Sequence, residues 1–171
     1  KRTCKKLKVP HKILDLSILN EIAPSSLTRE GMKVPEGHYT EESMKSTVVP
    51  NRNMIFLSLA AAQAIGRGIP HLFYAAHSGD HAIYPDCRPV FVNAMEKALH
   101  LCDWHDLTLH APYLHLSKTD IVKIGKNLGV DYSLTWTCYR GEDLACGKCG
   151  ACVERIEAFR EAGIADPVEY R

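Results

Sequence analysis

Four of the seven cysteines crowd into the stretch TCYRGEDLACGKCGAC, at Cys138, Cys146, Cys149 and Cys152. The spacing is C-x7-C-x2-C-x2-C. Two CxxC steps return thiolates to one centre with turn backbone between them, and Cys138 reaches that centre across a loop containing Gly141. Four soft ligands in a tetrahedron favour zinc. An iron–sulfur cluster is the competing reading, because repeated CxxC steps also cradle such clusters. A redox dithiol would need no second pair beside it. Four thiolates leave no open coordination position, so a metal here holds structure and the chemistry must lie elsewhere.

Three other places carry residue types suited to chemistry. In VVPNRN, Arg52 stands between Asn51 and Asn53 just ahead of a helical run. Free backbone N–H groups and a guanidinium there suit a phosphate or a carboxylate, while the plainer reading is a cap beside a surface arginine. HSGDHAIYPDC packs His77, Asp80, His81, Asp86 and Cys87 into one loop. An Asp-Cys pair before a helix suits either an activated nucleophile or a cap beside a small buried thiol. Its two aspartates could accept the paired N–H groups of a guanine edge, or bind magnesium. Lys118 opens its helix, where a cation gains nothing from the helix dipole, and this favours a functional reading. The histidines at 100, 105, 110 and 115 fall on different elements and make no metal site.

Each of these places sits at the edge of a predicted element. Leu7 reads as the close of a helix whose earlier turns are missing from the stretch, and KILDLSI (12–18) alternates as a strand. Residues 24–50 read as a long loop, either mobile or functional. A helix follows, capped by Asn51 or Asn53 and ended by Gly66 or Gly68. HLFYAA (71–76) reads as a buried strand, and 90–102 as a helix with Pro89 in its first turn and Asp86 as its cap. DLTLHAP (106–112) reads as a strand stopped by proline, followed by a helix with a Ser117–Asp120 capping box and a stop at Gly129. A short amphipathic helix spans about 153–161. Strand–helix alternation predicts an α/β fold, a parallel sheet with helices on both faces. Ligands of such sheets bind beyond the carboxyl ends of the strands, which selects PNRN, HSGDHAIYPDC and YLHLSK.

With 171 residues, 46% of them hydrophobic, the chain suits a single domain, 1–171, with a zinc-binding subregion at 138–152. Lys and Arg total 21 against 20 Asp and Glu, so no global field draws it to nucleic acid or an anionic membrane. The apolar run 54–66 is too short to span a bilayer. Crowded cysteines without disulfide spacing fit a reducing, cytoplasmic setting.

Taken in order, VVPNRN, YPDC, LSKTD and TCYRGEDLACGKCGAC resemble the 7-cyano-7-deazaguanine synthase family, the queuosine-biosynthesis members of the ATP-pyrophosphatase superfamily. The likeness runs from KILDLSILNEIAPSSLT through CGKCGACVERIEAF. It implies an adenine nucleotide alpha hydrolase-like sheet and an ATP-dependent carbon–nitrogen ligase. Such an enzyme turns 7-carboxy-7-deazaguanine and ammonia into the 7-cyano compound through adenylated acid and amide, with ATP, magnesium and structural zinc, as a homodimer.

By motif match, Arg52 and Asn53 lie near nucleotide and substrate. Asp80, Tyr84, Asp86 and Cys87 form the substrate-side loop, Lys118 matches a family lysine, and the four cysteines match the zinc ligands. Two departures accompany the likeness. Ala82 and Ile83 stand where many members have Ser-Gly, and no SGGxDS phosphate loop occurs, so the chain is expected to lack the N-terminal strand and loop of a complete member. The alternatives are a related ATP-pyrophosphatase acting on another substrate, or a zinc-stabilised binding module without catalysis.

Overall fold

Small and branched apolar residues at helical spacing build the element on which the core is assembled. The computed structural model describes residues 1–29, 31–38 and 41–171. Two short helices, α1 (Arg2–Lys6) and α2 (Leu19–Ile22), and a third, α3 (Glu41–Lys45), precede the long α4 (Arg52–Ile65). On α4 the positions Asn53, Leu57, Ala61 and Ala64 form one buried face, the i, i+4 stripe of an amphipathic helix. Asn51 occupies the N-cap position, but in a left-handed conformation (φ 60°) with no side-chain cap. The helix ends at Gly66, and Gly68 at φ 64° lets the chain reverse so that Ile69 N–H reaches the Ala64 carbonyl at 2.9 Å.

Strand β1 (His71–Phe73) pairs in parallel with β2 (Thr108–His110), with Leu72 opposite Leu109. The period-2 alternation turns Leu72 and Leu109 toward α4 and toward Val92, Met95 and Leu99 of α5 (Pro89–His100). Both strands are shorter than the sequence pattern suggests. β1 was also expected to be buried, yet His71 is exposed and Phe73 is 68% exposed, its ring stacked on His110 at 4.8 Å. The parallel sheet flanked by helices is nonetheless the architecture expected. The segment 12–18 forms no strand: among the described residues it has no pairing partner, and Asp15 Oδ1 accepts the Ser17 N–H at 2.9 Å, a turn that feeds α2. Within the 24–50 stretch, Met44 and Thr47 are 1% and 0% exposed, so this part is anchored in the core.

The capping-box helix α6 (Lys118–Asn127) has both reciprocal bonds between Ser117 and Asp120, and Gly129 (φ 71°) follows its end as expected. It packs on α7 (Gly150–Ala162) through Val122, Ala158 and Phe159. α7 begins three residues earlier than its apolar pattern suggests, because Cys149 is its N-cap and Cys152 lies in its first turn. Asp86, expected to cap α5, does not: Arg88 holds that position, with Pro89 in the first turn as expected. Among the described residues no helix is long and apolar enough to cross a membrane.

The tail after α7 is held by a buried ion pair. Arg155 presents a fork to Asp166, Nε to Oδ2 and Nη2 to Oδ1, both at 2.8 Å, with side chains 4% and 10% exposed. Burial alone would raise the Asp166 pKa, but the Arg155 fork, the Tyr170 hydroxyl and the Val168 N–H outweigh it and hold the carboxyl below its usual value. A folded-state pKa below the unfolded one stabilises the fold above the ordinary aspartate range, and this contribution is lost as pH falls through it. Replacing Asp166 with Ala strands a buried guanidinium and is expected to cost about 3 kcal/mol or more in urea unfolding. The difference between wild type and variant should shrink when the measurement is repeated below about pH 4.

Candidate active site and metal cluster

The carboxyl ends of β1 and β2 open into two loops that are tied together. After β1 the chain enters a 3-10 turn at Ser78–Asp80, and both the N–H and the hydroxyl of Ser78 donate to the Leu116 carbonyl, at 2.9 and 2.8 Å, just before α6. Between these loops and the start of α4 lies a cavity of about 220 Å3. Arg52, His77, Asp80, Tyr84, Cys87 and Lys118 line it, and Thr137, Tyr139 and Ala151 close its far wall. An adjoining cavity of about 270 Å3 shares His77, Lys118 and Thr137 and is otherwise lined largely by apolar side chains such as Ile121, Val122 and Phe159.

Five residues singled out from sequence therefore meet around one space: Arg52, Asp80, Tyr84, Cys87 and Lys118. Asn53 and Asp86 stand behind it. The Asp86 carboxylate accepts the Asn53 backbone N–H at 3.2 Å, so Asp86 caps α4 across 33 residues of sequence rather than the helix that follows it. The Asn53 amide reaches Cys87 Sγ at 3.5 Å. Tyr74, on the first residue past β1, donates to the Asp86 carbonyl at 2.9 Å and lies 3.3 Å from the same sulfur.

Burial pushes the Cys87 thiol up to about 11, so it stays protonated and is no resting nucleophile. Tyr84 shares its hydroxyl with Thr47 (2.9 Å) and Tyr139 (3.2 Å), and burial lifts its pKa well above the usual phenol range. The Arg52 guanidinium lies 5.9 Å from the centre of the Tyr84 ring.

His77, Thr137, Tyr139 and Glu154 reach the site without having been assigned a role from sequence. His77 Nδ1 accepts the Gly79 N–H at 3.2 Å, and its Nε2 lies 3.3 Å from Asp80 Oδ2. Burial lowers the His77 pKa and raises that of Asp80. Glu154, on α7, forms an ion pair with Lys118, so this cation is balanced by a carboxylate from another helix. A Cβ at Gly79 would sit 2.6 Å from Glu154 Oε1 and 3.0 Å from His77 Cε1, so only glycine lets both side chains approach this turn. The H-x2-D spacing of His77 and Asp80 was the one local signal available. The contact of Glu154 with Lys118 is purely tertiary.

Beyond the far wall, the four cysteine sulfurs all lie within 4.8 Å of one another, and all four residues are buried. Lys148 and Cys149 N–H groups point at Cys146 Sγ (3.4 and 3.3 Å), and the Cys146 N–H points at Cys138 Sγ (3.4 Å). Burial acts to raise the Cys146 thiol, but these N–H donors prevail and bring it down to about 7; burial raises Cys149 and Cys152. Zinc–sulfur bonds of about 2.3 Å set sulfurs about 3.8 Å apart in a tetrahedron, so the donor set fits one such ion. An iron–sulfur cluster interposes its own sulfide and needs the thiolates farther apart. The cluster also gathers distant chain: Glu36 bridges to Cys149, the Gly37 N–H donates to the Lys148 carbonyl at 2.7 Å, and Ala145 pairs with Tyr170. Replacing Cys149 with Ser is expected to lower bound metal below one ion per chain by elemental analysis. Amide exchange should then quicken at 145–152 and 36–37 before it does in α4.

Comparison with known proteins agrees with this arrangement. The family model for queuosine biosynthesis protein QueC matches residues 1–163. A 7-cyano-7-deazaguanine synthase of Methanoregula boonei is 72% identical over 169 residues, covering 99% of this chain and 78% of the relative. Proteins of that name from Caldicellulosiruptor saccharolyticus and Pseudoalteromonas translucida are 61% and 53% identical, each over 99% of this chain and over 76% and 78% of their own lengths. A family match over almost the whole chain, together with close relatives and a four-cysteine cluster beside a strand-end cavity, places this chain in the QueC family of queuosine biosynthesis proteins.

Proposed function

We propose that the protein is a 7-cyano-7-deazaguanine synthase, which converts 7-carboxy-7-deazaguanine and ammonia to the nitrile at the expense of ATP, with zinc in the four-cysteine cluster as a structural ion. The observation that carries this reading is the meeting of Arg52, Asp80, Tyr84, Cys87 and Lys118 around one cavity at the strand ends of a QueC-family chain.

A carboxylate resists attack by ammonia because an oxide-like group would have to leave. Transfer of the adenylyl group from ATP to the carboxylate gives a mixed anhydride whose leaving group is AMP. Ammonia displaces AMP to give the amide. A second adenylylation, on the amide oxygen, makes that oxygen a leaving group too, and its departure with loss of the nitrogen protons forms the nitrile. Magnesium entering with ATP offsets phosphate charge. The protein's part is to orient two anions and to stabilise charge as it develops.

Arg52 suits that task. It sits at the N-terminus of α4, where helix N–H groups also favour an anion, and among the described residues it has no ion-pair partner. Lys118, balanced by Glu154, brings hydrogen-bond donors with little net charge. Asp80 is the carboxylate on the cavity. Asp86 and Asn53 act from behind it, holding the Arg52 turn in place. The Cys87 thiol serves as a packed wall group, and no covalent cysteine step is needed.

Mass spectrometry of products formed by the full-length protein, phosphate loop included, from 7-carboxy-7-deazaguanine, ATP and ammonium should show the nitrile together with AMP and pyrophosphate. Absence of ATP-dependent nitrile would contradict the assignment, and stoichiometric iron with acid-labile sulfide would contradict zinc. Changing Arg52 to Ala is expected to cut turnover about a hundredfold while leaving metal content unchanged. Changing Asp86 to Asn keeps an acceptor for the Asn53 N–H, so it should cost less than about 1 kcal/mol of stability.

A further inference from the structure

The reaction just proposed strips three protons from one nitrogen. Ammonia attacking the adenylated acid becomes an amide with release of AMP and one proton. The adenylated amide becomes a nitrile when its C–O bond to AMP breaks and two more protons leave the nitrogen. No oxidation or reduction occurs, so atoms and charge balance once a group beside the reacting carbon accepts those protons. A nitrogen whose carbon is losing, or has just lost, a good leaving group is strongly acidic, and a carboxylate is base enough to deprotonate it.

Side chains lining the cavity allow the acceptor to be identified by exclusion. Arg52 is a permanent cation. Lys118 is a cation held by Glu154, and Glu154 is correspondingly committed to Lys118. Cys87 is a buried thiol shared between the Asn53 amide and the Tyr74 hydroxyl. His77 has its only unprotonated ring position, Nδ1, occupied by the Gly79 N–H at 3.2 Å. That bond fixes the neutral tautomer with its proton on Nε2, and Nε2 is the atom 3.3 Å from Asp80 Oδ2. Tyr84, Tyr139 and Thr137 bring hydroxyl groups, which are weak bases, and the Tyr84 hydroxyl is already shared with Thr47 and Tyr139. Asp80 remains: an acceptor-only group on the cavity, faced by His77 in its own turn, Arg52 from α4, Lys118 from α6 and Glu154 from α7.

We propose that Asp80 is the base that takes the nitrogen protons in both halves of the reaction, and that His77 is the positioning residue that aims it. The Gly79 N–H locks the His77 tautomer, the Nε2–H edge of His77 then lies against one Asp80 oxygen at 3.3 Å, and the other oxygen is left for the substrate nitrogen. Burial of Asp80 strengthens it as a base, since desolvation raises its pKa. Gly79 is needed because any side chain there would press on the His77 ring and on Glu154. This assignment rests on the synthase reading and deepens it.

The test separates the step before nitrogen attack from the steps after it. Acid-dependent exchange of labelled pyrophosphate into ATP reports the first adenylylation, which moves no nitrogen proton. Nitrile formation reports the proton transfers. In Asp80→Asn, nitrile formation is expected to fall about a hundredfold or more, and at least tenfold further than exchange. The exchange activity that remains also shows that the variant is folded. His77→Gln keeps an N–H donor near Nε2 and should retain most of the nitrile activity, whereas His77→Leu should lose about tenfold or more with exchange less affected. Equal losses of exchange and nitrile formation in Asp80→Asn would make Asp80 a substrate-binding group and overturn the proposal, as would unchanged nitrile formation. Equal behaviour of the Gln and Leu variants would overturn the positioning role of His77. These assays use the full-length protein, and absence of exchange in its unaltered form would instead overturn the synthase reading, and this assignment with it.

Discussion

Four sulfurs confined within 4.8 Å of one another set the position of the C-terminal third of the molecule. Because Cys149 is the N-cap of α7 and Cys152 lies in its first turn, closing the cluster fixes both the start and the rotation of that helix. The rotation turns Glu154 toward Lys118 and buries Arg155 against Asp166. Ala151 and the residues just before and after Cys138, Thr137 and Tyr139, form the far wall of the polar cavity. A metal that takes no part in the chemistry can thus decide whether the chemical site has its second side.

The opposite wall depends on a different device. α4 and the YPDC turn are joined by one carboxylate, Asp86, whose partner is a backbone N–H in another element. Tyr74 and Asn53 both converge on Cys87, so this turn is held from two sides and the neighbouring half-buried Arg52 is presented from a rigid support. Between the walls the polar groups are arranged in pairs: the neutral His77 ring beside Asp80, and the Lys118 cation with Glu154. Paired charges at partly buried positions add little net stability, because desolvation offsets the attraction. Their value lies in fixing orientation and in leaving Arg52 as the cation open to an anionic ligand.

How much of this could be read from sequence followed how local the cause was. The cysteine cluster, the Ser117–Asp120 capping box and Pro89 in the first turn of α5 are local patterns, and all three are present as read. The strand-end rule selected loops that the fold brings together, since five of the selected side chains share one cavity. Asp86 was misplaced because a cap is ordinarily sought on the next helix, and here the capped N–H lies 33 residues upstream. Glu154 carried no signal at all: its partner is 36 residues away, and only the register imposed on α7 brings them together. The alternation at 12–18 suggested a strand, but a strand exists only through a partner, and an aspartate turn at Asp15 leads the chain into α2 instead.

Coupling between the cluster and the cavity is tested most directly by titrating the metal out with a chelator while binding of 7-carboxy-7-deazaguanine is followed by calorimetry on the same samples. The coupling described above predicts that the fraction of chains able to bind falls in step with bound metal, and that far-ultraviolet dichroism still reports α4 and α5 as folded. Undiminished binding by protein stripped of its metal would contradict it, and would show that the cavity stands without the cluster.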